Sequence, residues 1–343
     1  MMKIKTGTGF IILMVLLLTI YSATAGSKYI NIQEMRESIP SSWTENLKGG
    51  KKNFDCIVDA PIVVPEADHF PILQITYQGE IQGLEKTGYF IDDNTEQYLL
   101  VKSRPDEAAS DSVHYEIYST YEDDLDEKTV GLAEEKARNI LGKVWDMNGT
   151  PLEKLGVCVR QDALSAYCET TVVFCPVYNG IAYLERPGSF SVIKNCADQP
   201  GNLIYAFWRE DEEYEGAHIE IPRLIGEYVE DVPLLPFDTI QEIIRQRIRE
   251  GYVQSICEIR LGYISANSSD HPGEDFYLTP AWVVCGVMNS YPHIPFRPEN
   301  YSPEQRYIAS ELVINAQTGN VIDFTSHSKE TFDAHILTWE DMK

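Results

Sequence analysis

Two stretches of the chain carry apolar residues at helical spacing, and each predicts an amphipathic helix. The first stripe extends over 132–144, with charged residues on its other side and Thr129 as the expected N-cap. It consists of Leu132, Ala133, Ala137, Ile140, Leu141 and Val144. In the second stretch, Asp238 and Gln241 resemble a capping box, and Gly251 is placed to end the helix. Its stripe consists of Ile240, Ile243, Ile244 and Ile248.

Short runs rich in β-branched and aromatic residues, bounded by turn residues, predict strands on both sides of these helices. Before the first helix they are 57–64, 72–77, 97–102 and 113–118. Between the helices they are 155–159, 170–177, 189–193, 203–208 and 217–221. After the second helix they are 253–264, 276–288, 311–314 and 321–324. The last two runs predict a hairpin, and Asn179-Gly180 predicts a tight turn.

The order of these elements predicts an α+β fold, in which antiparallel sheets pack against helices after a β-rich N-terminal region. We divide the chain into six segments. They are a signal peptide (1–25), a polar tether (26–50), a β-rich domain (51–125), a first helix-plus-sheet unit (126–225), a second unit (226–325) and a C-terminal tail (326–343). The repeated helix-then-strands order indicates an internal duplication, with independent α+β segments as the alternative.

The first 25 residues follow the pattern of a secretory signal peptide. Lys3 and Lys5 give a basic start, 10–20 is an apolar run, and Ala23-Thr24-Ala25 places small residues where a signal peptidase cleaves. The apolar run is too short to span a hydrocarbon core of about 30 Å comfortably. We therefore expect a secreted or extracytoplasmic protein, with membrane contact only if this segment stays uncleaved.

The excess of acidic over basic residues argues against two classes of partner. Among 343 residues, 28 are Lys or Arg and 53 are Asp or Glu, which gives a formal net charge of −25. Binding to nucleic acid and electrostatic attachment to an anionic membrane both need clustered basic residues. We therefore expect no nucleic-acid partner and no electrostatic binding to an anionic membrane.

Seven cysteines lie after the predicted signal peptide, and four of them fall between 158 and 196. An oxidising compartment permits disulfides, so a pair within that stretch is one interpretation. The alternative is a set of buried thiols that behave as small apolar residues, which suits Cys257 and Cys285 in their apolar runs. The odd number leaves at least one thiol outside any intramolecular pair.

Sequence signatures of catalysis are few. No nucleophile elbow, P-loop, HExxH sequence or EF-hand loop occurs in the chain. The candidate metal ligands are two His-x-Glu pairs, His114 with Glu116 and His218 with Glu220. Side chains two apart on a strand share a face, so each pair can ligate a metal ion or act as an acid–base pair. The alternative is the polar face of a half-exposed strand, because no third ligand can be named.

The closing sequence ELVINAQTGNVIDF (Glu311–Phe324) resembles the end of PepSY-like domains, in which two hydrophobic strands flank an Ala-x-Thr-Gly turn. The segments 277–286 and 234–244 resemble the strand and helix that accompany this hairpin, and 177–181 fits an earlier copy. The last two-thirds of the chain is thus similar to an uncharacterised family of exported proteins from Gram-positive anaerobes, related to regulatory proteins of the YycH/YycI type. That family often begins with a lipidated cysteine, which has no counterpart near residue 25.

The resemblance implies an extracytoplasmic interaction or regulatory module, with no cofactor and no catalytic residues to assign. We therefore predict an exported, non-catalytic protein that binds or regulates a protein, peptide or cell-envelope partner. Exposed strand edges can take up an extended peptide by β-augmentation. The alternative is an envelope hydrolase that acts on sugars or peptides through carboxylates or through a triad assembled in space.

Overall fold

The computed structural model describes residues 29–49, 54–76, 98–101, 117–121, 125–144, 150–162, 168–184, 204–209, 215–219, 222–267, 276–288, 309–322 and 336–342. The helices within them are α1 (Ile32–Ser38), α2 (Glu127–Val144) and α3 (Phe237–Glu250). The strands are β1 (Ser42–Gly49), β2 (Phe54–Val63), β3 (Ile72–Thr76), β4 (Tyr98–Val101), β5 (Ile117–Tyr121), β6 (Leu152–Asp162), β7 (Cys168–Tyr178), β8 (Ile181–Ala182), β9 (Ile204–Arg209), β10 (Glu215–Ile219), β11 (Arg223–Val229), β12 (Val253–Asn267), β13 (Phe276–Met288), β14 (Ala309–Asn315) and β15 (Val321–Ile322).

The described strands form two sheets. Sheet I has the strand order β1-β2-β12-β13-β14-β15, and β3 joins it by pairing with β13 on one side and β11 on the other. Sheet II has the order β4-β10-β9-β7-β6-β5, with the short β8 paired to β7. Neighbouring strands in these sheets run antiparallel except β2 and β12, which are parallel.

The predicted α+β fold is wrong, because the described residues are mostly β-sheet, and helices make up a small part of them. The sequence shows short apolar runs, whereas the strands continue through the polar residues beside them. β6 covers 152–162 although only 155–159 is apolar. Half-exposed Glu153 and Lys154 interrupt the apolar pattern without ending the strand, because a strand needs only one buried face.

Strands from both ends of the described chain belong to sheet I. β1 lies in the stretch predicted as a polar tether, and it pairs with β2 from Ser42↔Pro61 to Gly49↔Phe54. β2 in turn pairs with β12 of the second predicted unit. Sheet I therefore gathers strands from several of the predicted segments, and the boundaries between those segments stay a prediction.

Asp126, rather than Thr129, caps α2. The Thr129 backbone N–H donates to Asp126 Oδ1 at 2.9 Å, and the Thr129 hydroxyl donates to Asp126 Oδ2 at 2.8 Å. The predicted Thr129 cap is therefore wrong, since Thr129 lies in the first turn and is the donor. The backbone and side-chain bonds from Thr129 lower the pKa of the exposed Asp126 carboxyl.

The two ends of α3 differ in how they are capped. Pro236 is the N-cap and makes no side-chain bond there, so the predicted capping box of Asp238 and Gln241 is wrong. The predicted end at Gly251 is confirmed, with a left-handed φ of 89°. The N–H groups of Gly251 and Tyr252 each donate at 3.0 Å to a carbonyl of the last turn, which is the Schellman arrangement.

The stripe predicted for α3 is confirmed, and it packs on sheet I. Ile240, Ile244 and Ile248 are fully buried. The Phe237 ring at the start of the helix lies 5.0 Å from the ring of Trp282 on β13. Aromatic and branched side chains therefore fill the space between α3 and sheet I.

α2 packs on sheet II through most of its predicted stripe. Leu132, which the predicted stripe includes, is instead 57% exposed. The Arg138 guanidinium lies 4.9 Å from the centre of the Phe174 ring. The helix buries Val130, Ala133, Ala137, Ile140 and Leu141, and the strands supply the rest of this core, namely Val157, Val172, Phe174, Ile204, Ala206, Trp208, Ala217 and Ile219.

The two sheets meet where the segment after β7 lies against β12. Tyr183 forms an isolated parallel bridge with Tyr263, and the Leu184 N–H donates to the Tyr263 carbonyl at 2.8 Å. Gly262 permits this approach, because a Cβ there would lie 2.6 Å from Leu184 Cδ1 and 2.7 Å from the Ala182 carbonyl oxygen. The contact between the sheets therefore depends on a residue without a side chain.

The segment 230–236, between β11 and α3, contacts residues near both ends of the described chain. Ile30 and Leu234 exchange two backbone hydrogen bonds of 2.9 Å. The Gln317 side-chain amide donates to a carbonyl of this segment at 3.2 Å and to the Leu337 carbonyl at 2.7 Å. Residues 30 and 337 therefore lie close to the same few residues in the middle of the chain.

Two buried cysteines behave as small apolar residues, as the alternative interpretation expects. Burial raises the pKa of the Cys56 thiol to about 11. Burial and the nearby Glu153 carboxylate raise the pKa of the fully buried Cys175 thiol. Thiols of this kind are protonated and unreactive near neutral pH. Cys196 lies outside the described residues, and the disulfide within 158–196 stays a prediction.

Candidate functional site

Most of the predicted metal ligands lie outside the described residues. These are His114, Glu116 and Glu220, whereas His218 lies in β10, whose backbone pairs with both β4 and β9. Within the described stretches, no group of three or more His, Cys, Asp or Glu side chains is placed to hold a metal ion. The metal and acid–base roles of the two pairs stay a prediction.

β11 presents a surface that is apolar and exposed. Leu224, Ile225 and Tyr228 are 44%, 51% and 57% exposed, respectively. Among the described residues, the other exposed large apolar side chains are Ile57 on β2 and Leu132 on α2. Three of five such side chains thus fall within five consecutive residues, and we call Leu224, Ile225 and Tyr228 the β11 patch.

The pairing of β11 explains why these side chains are exposed. Among the described strands, β11 pairs with β3 alone, so it is an edge strand of sheet I in that part of the molecule. The register with β3 shifts twice, between Leu224 and Gly226 and again between Glu227 and Val229. Ile225 and Tyr228 are the residues skipped at these two bulges. A skipped residue has no partner in the register with β3, which agrees with the exposure of both side chains.

The strand that pairs with β11 is buried. Ile72, Leu73 and Ile75 of β3 are at most 1% exposed and belong to the sheet I core. The Tyr228 ring lies 4.8 Å from the ring of Tyr277 on β13, at an interplanar angle of 51°. One side of Tyr228 is therefore held by the sheet, while more than half of the residue remains accessible to solvent.

Charged residues flank the patch on the same strand. Arg223 begins β11, Glu227 lies between Ile225 and Tyr228, and Glu230 follows the strand; all three charged side chains are exposed. Asp231 is engaged inside the molecule, because its carboxylate accepts from the Phe70 N–H at 2.9 Å and from Trp339 Nε1 at 3.0 Å. The exposed charge beside the apolar side chains is thus predominantly acidic.

A second polar cluster lies where the two sheets meet. Arg260 of β12 donates from Nε to Glu258 Oε1 at 3.0 Å and also pairs with Glu153 of β6. Burial lowers the pKa of Arg260, but the carboxylates of Glu258 and Glu153 outweigh it, so the net change is upward. A permanently charged guanidinium between two carboxylates connects the sheets electrostatically, and it neither donates nor accepts protons near neutral pH.

The residues of the β11 patch were missed by the sequence analysis. The sequence RLIGEYV contains the β-branched and aromatic residues of a strand and follows Pro222, but Gly226 and Glu227 interrupt it. A signal was present, namely a strand-like run of apolar residues between Pro222 and Pro233. The sequence does not reveal that β3 is the only described strand that pairs with β11. The exposure of the β11 patch depends on that pairing.

Comparisons with known proteins add little to this description. No protein-family model matches the chain, and no curated protein matches it. A crystal structure of an uncharacterized protein from Eubacterium rectale is similar over 78% of this chain and 90% of that chain, with 13% sequence identity and a TM-score of 0.46. At this level, the similarity supports no conclusion about function.

Among the described residues, no helix combines the length and the apolar character needed to cross a membrane.

Proposed function

We propose that this chain is an exported, non-catalytic protein that binds a polypeptide partner through the β11 patch. The observation that carries the proposal is the concentration of exposed apolar side chains on one edge strand. An exposed apolar cluster costs solubility and adds nothing to the folded core, so its common explanation is an interaction site. The extracytoplasmic location rests on residues 3–25 of the sequence.

The form of the edge indicates how a partner binds. Bulges commonly protect an edge strand from uncontrolled pairing with other strands. Here the two bulge residues, Ile225 and Tyr228, are apolar and exposed rather than charged. A partner therefore docks mainly on projecting side chains, with backbone pairing restricted to short stretches of β11. Tyrosine is well suited to this role because a large, stiff ring buries much area at a small entropic cost.

Site-specific photo-cross-linking tests the proposal. A photoreactive phenylalanine analogue replaces Ile225 in one variant and Leu132 in the other, since Leu132 is equally exposed but lies on α2. After illumination in an envelope extract, we expect a discrete adduct at position 225 and none at position 132. Adding Leu224→Asp and Tyr228→Asp is expected to abolish the adduct. Equal adducts at both positions, or none at 225, would contradict the proposal.

A further inference from the structure

We infer that the β11 patch binds an extended polypeptide segment that carries apolar side chains together with lysine or arginine. This inference rests on the proposed function and adds the chemistry of the partner. It follows from the exposed apolar and acidic side chains of β11 and from the charge of the surroundings.

Apolar and acidic side chains interleave along this edge. Ile225 and Tyr228 are apolar, and Glu227 and Glu230 are the exposed acids that follow them. Exposed apolar and acidic groups therefore lie within a few residues of one another along β11. A partner segment that carries both apolar and basic side chains can bury its apolar groups here and place its cations beside the carboxylates.

Tyr228 adds a second means of recognising a cation. Its ring contacts Tyr277 at 4.8 Å, and the residue is nevertheless 57% exposed. The exposed side of the ring can accept a lysine or arginine side chain, with a contribution that is largest when the contact excludes water. Glu227 on the same strand and Glu230 directly after it supply exposed carboxylates for other basic side chains of the partner.

The charge of the whole chain favours the same class of partner. With a formal charge of −25, the molecule repels acidic segments and attracts basic ones before contact is made. Arg223 contributes a single positive charge at the start of β11, which leaves the two exposed carboxylates in excess. Acidic or neutral segments lack this complementarity.

Three synthetic peptides of equal length test the inference, with valine alternating with lysine, glutamine or glutamate. Binding to the full-length protein is measured by fluorescence anisotropy at low and high salt. We expect the lysine peptide to bind about fivefold more tightly than the glutamine peptide, because two partly exposed ion pairs contribute about that much. The preference should shrink as salt is raised, and the glutamate peptide should bind most weakly.

Paired variants separate charge at the patch from charge elsewhere. Glu227→Gln with Glu230→Gln is expected to remove the preference for the lysine peptide. Glu37→Gln with Glu135→Gln removes the same number of charges at exposed positions on α1 and α2, and should leave the preference intact. If the control pair abolishes the preference instead, recognition at β11 is refuted.

The remaining outcomes distinguish this inference from the proposed function. Equal binding of all three peptides that is lost in Ile225→Asp would overturn the basic partner and leave binding at the patch supported. Tighter binding of the glutamate peptide would also overturn it. Absence of binding by every peptide would reject a segment of apolar and basic residues as the partner, while cross-linking at position 225 would still decide the proposed function.

Discussion

Sheet I and sheet II each contain a helix followed along the chain by four antiparallel strands, but they differ in the other segments that join them. α3 is followed along the chain by the antiparallel neighbours β12, β13, β14 and β15, and α2 by β6, β7, β9 and β10. The core beneath α2 draws its buried residues from 130–219. The core beneath α3 draws them from 32–316, including residues near both chain ends. One core is therefore local in sequence, and the other is closed by distant segments.

The difference shows what positions the candidate site. The β11 patch lies on the strand just before α3, but the described partner of that strand is β3, which comes from much earlier in the chain. Long-range pairing is costly in chain entropy until the surrounding core is complete. The patch therefore depends on the pairing of β11 with β3 in sheet I.

Truncating the central aromatic residue of sheet I has the largest expected effect. Trp282 is fully buried against Phe237, and no hydrogen-bond partner of its indole N–H is found among the described residues, so the residue acts through packing. We expect Trp282→Ala to lower the free energy of unfolding by about 3–5 kcal/mol. Urea denaturation followed by circular dichroism measures this loss.

The matched variant in sheet II is Phe174→Ala, which truncates a fully buried ring in the local core. A similar loss of stability is expected there. Limited proteolysis separates the two variants, because only Trp282→Ala should increase cleavage near residues 30 and 337. Equal cleavage near both ends in the two variants would show that sheet II also holds the chain ends.

Breaking the ion cluster between the sheets ranks next. Arg260→Leu leaves the Glu258 carboxylate buried without its guanidinium, and we expect a loss of about 3 kcal/mol. Lys48→Met is the control, because it removes a surface pair between Lys48 and Asp55, whose side chains are 73% and 52% exposed. This control should change stability by about 0.5 kcal/mol or less. Thermal unfolding of Arg260→Leu and of Lys48→Met measures the two losses. Equal losses would mean that the cluster at Arg260 is as well solvated as the surface pair.

Two glycine substitutions compare the contact between the sheets with a position on α2. Gly262→Ala places a Cβ 2.7 Å from a backbone oxygen, and we expect it to destabilise the protein by about 1–3 kcal/mol. Gly142→Ala on α2 meets no atom within 4 Å and should stabilise the protein by up to about 1 kcal/mol, because alanine favours helix. Differential scanning calorimetry should give opposite signs, and destabilisation by both would refute the role assigned to Gly262.

The smallest expected effect concerns the pH dependence of the contact between α3 and β1. Burial raises the pKa of Glu45, but hydrogen bonds from Arg245 and Trp43 outweigh it and bring the pKa below the usual 4.5. A lowered pKa stabilises the folded state above pH 4.5, and this contribution is lost as the pH falls below that value. The carboxylate is about one-third exposed, so we expect only about 0.5 kcal/mol.

Glu45→Gln is expected to flatten the decline in stability between neutral pH and pH 3, as measured by urea denaturation at each pH. Glu37→Gln is the matched control, because Glu37 is an exposed residue of α1. A decline that is unchanged in Glu45→Gln, or equally flattened in the control, would contradict the assignment.

Local patterns in the sequence predicted the elements that are stabilised locally. The stripe of α3 and its end at Gly251 are confirmed, and β12 and β13 match the predicted runs 253–264 and 276–288 closely. The Asn179-Gly180 turn is also confirmed, with φ values of 51° and 79°. The Gly251 cap and the Asn179-Gly180 turn are determined within a few residues, and β12 pairs with β13, the next described strand along the chain.

Elements that depend on distant partners escaped prediction. β1 alternates buried Trp43 and half-buried Leu47 with exposed residues, but Glu45 interrupts the apolar face. Glu45 is accommodated because Arg245, two hundred residues away, donates to it at 3.0 Å. The β11 patch was missed for a related reason, since its exposure follows from strand pairing that the sequence does not display.

The contacts of 230–236 have a practical consequence for handling the protein. Because Ile30 pairs with Leu234, and Gln317 links this segment to Leu337, anything attached near residue 30 or 337 lies beside the segment that directly follows β11. A tag or surface at either position would therefore lie beside 230–236, the segment that joins β11 to α3. Immobilisation through α2 on sheet II is expected to keep the β11 edge accessible. A circular permutant that joins residues near 30 and 337 and opens the chain at Asn179-Gly180 should retain the contacts of 230–236.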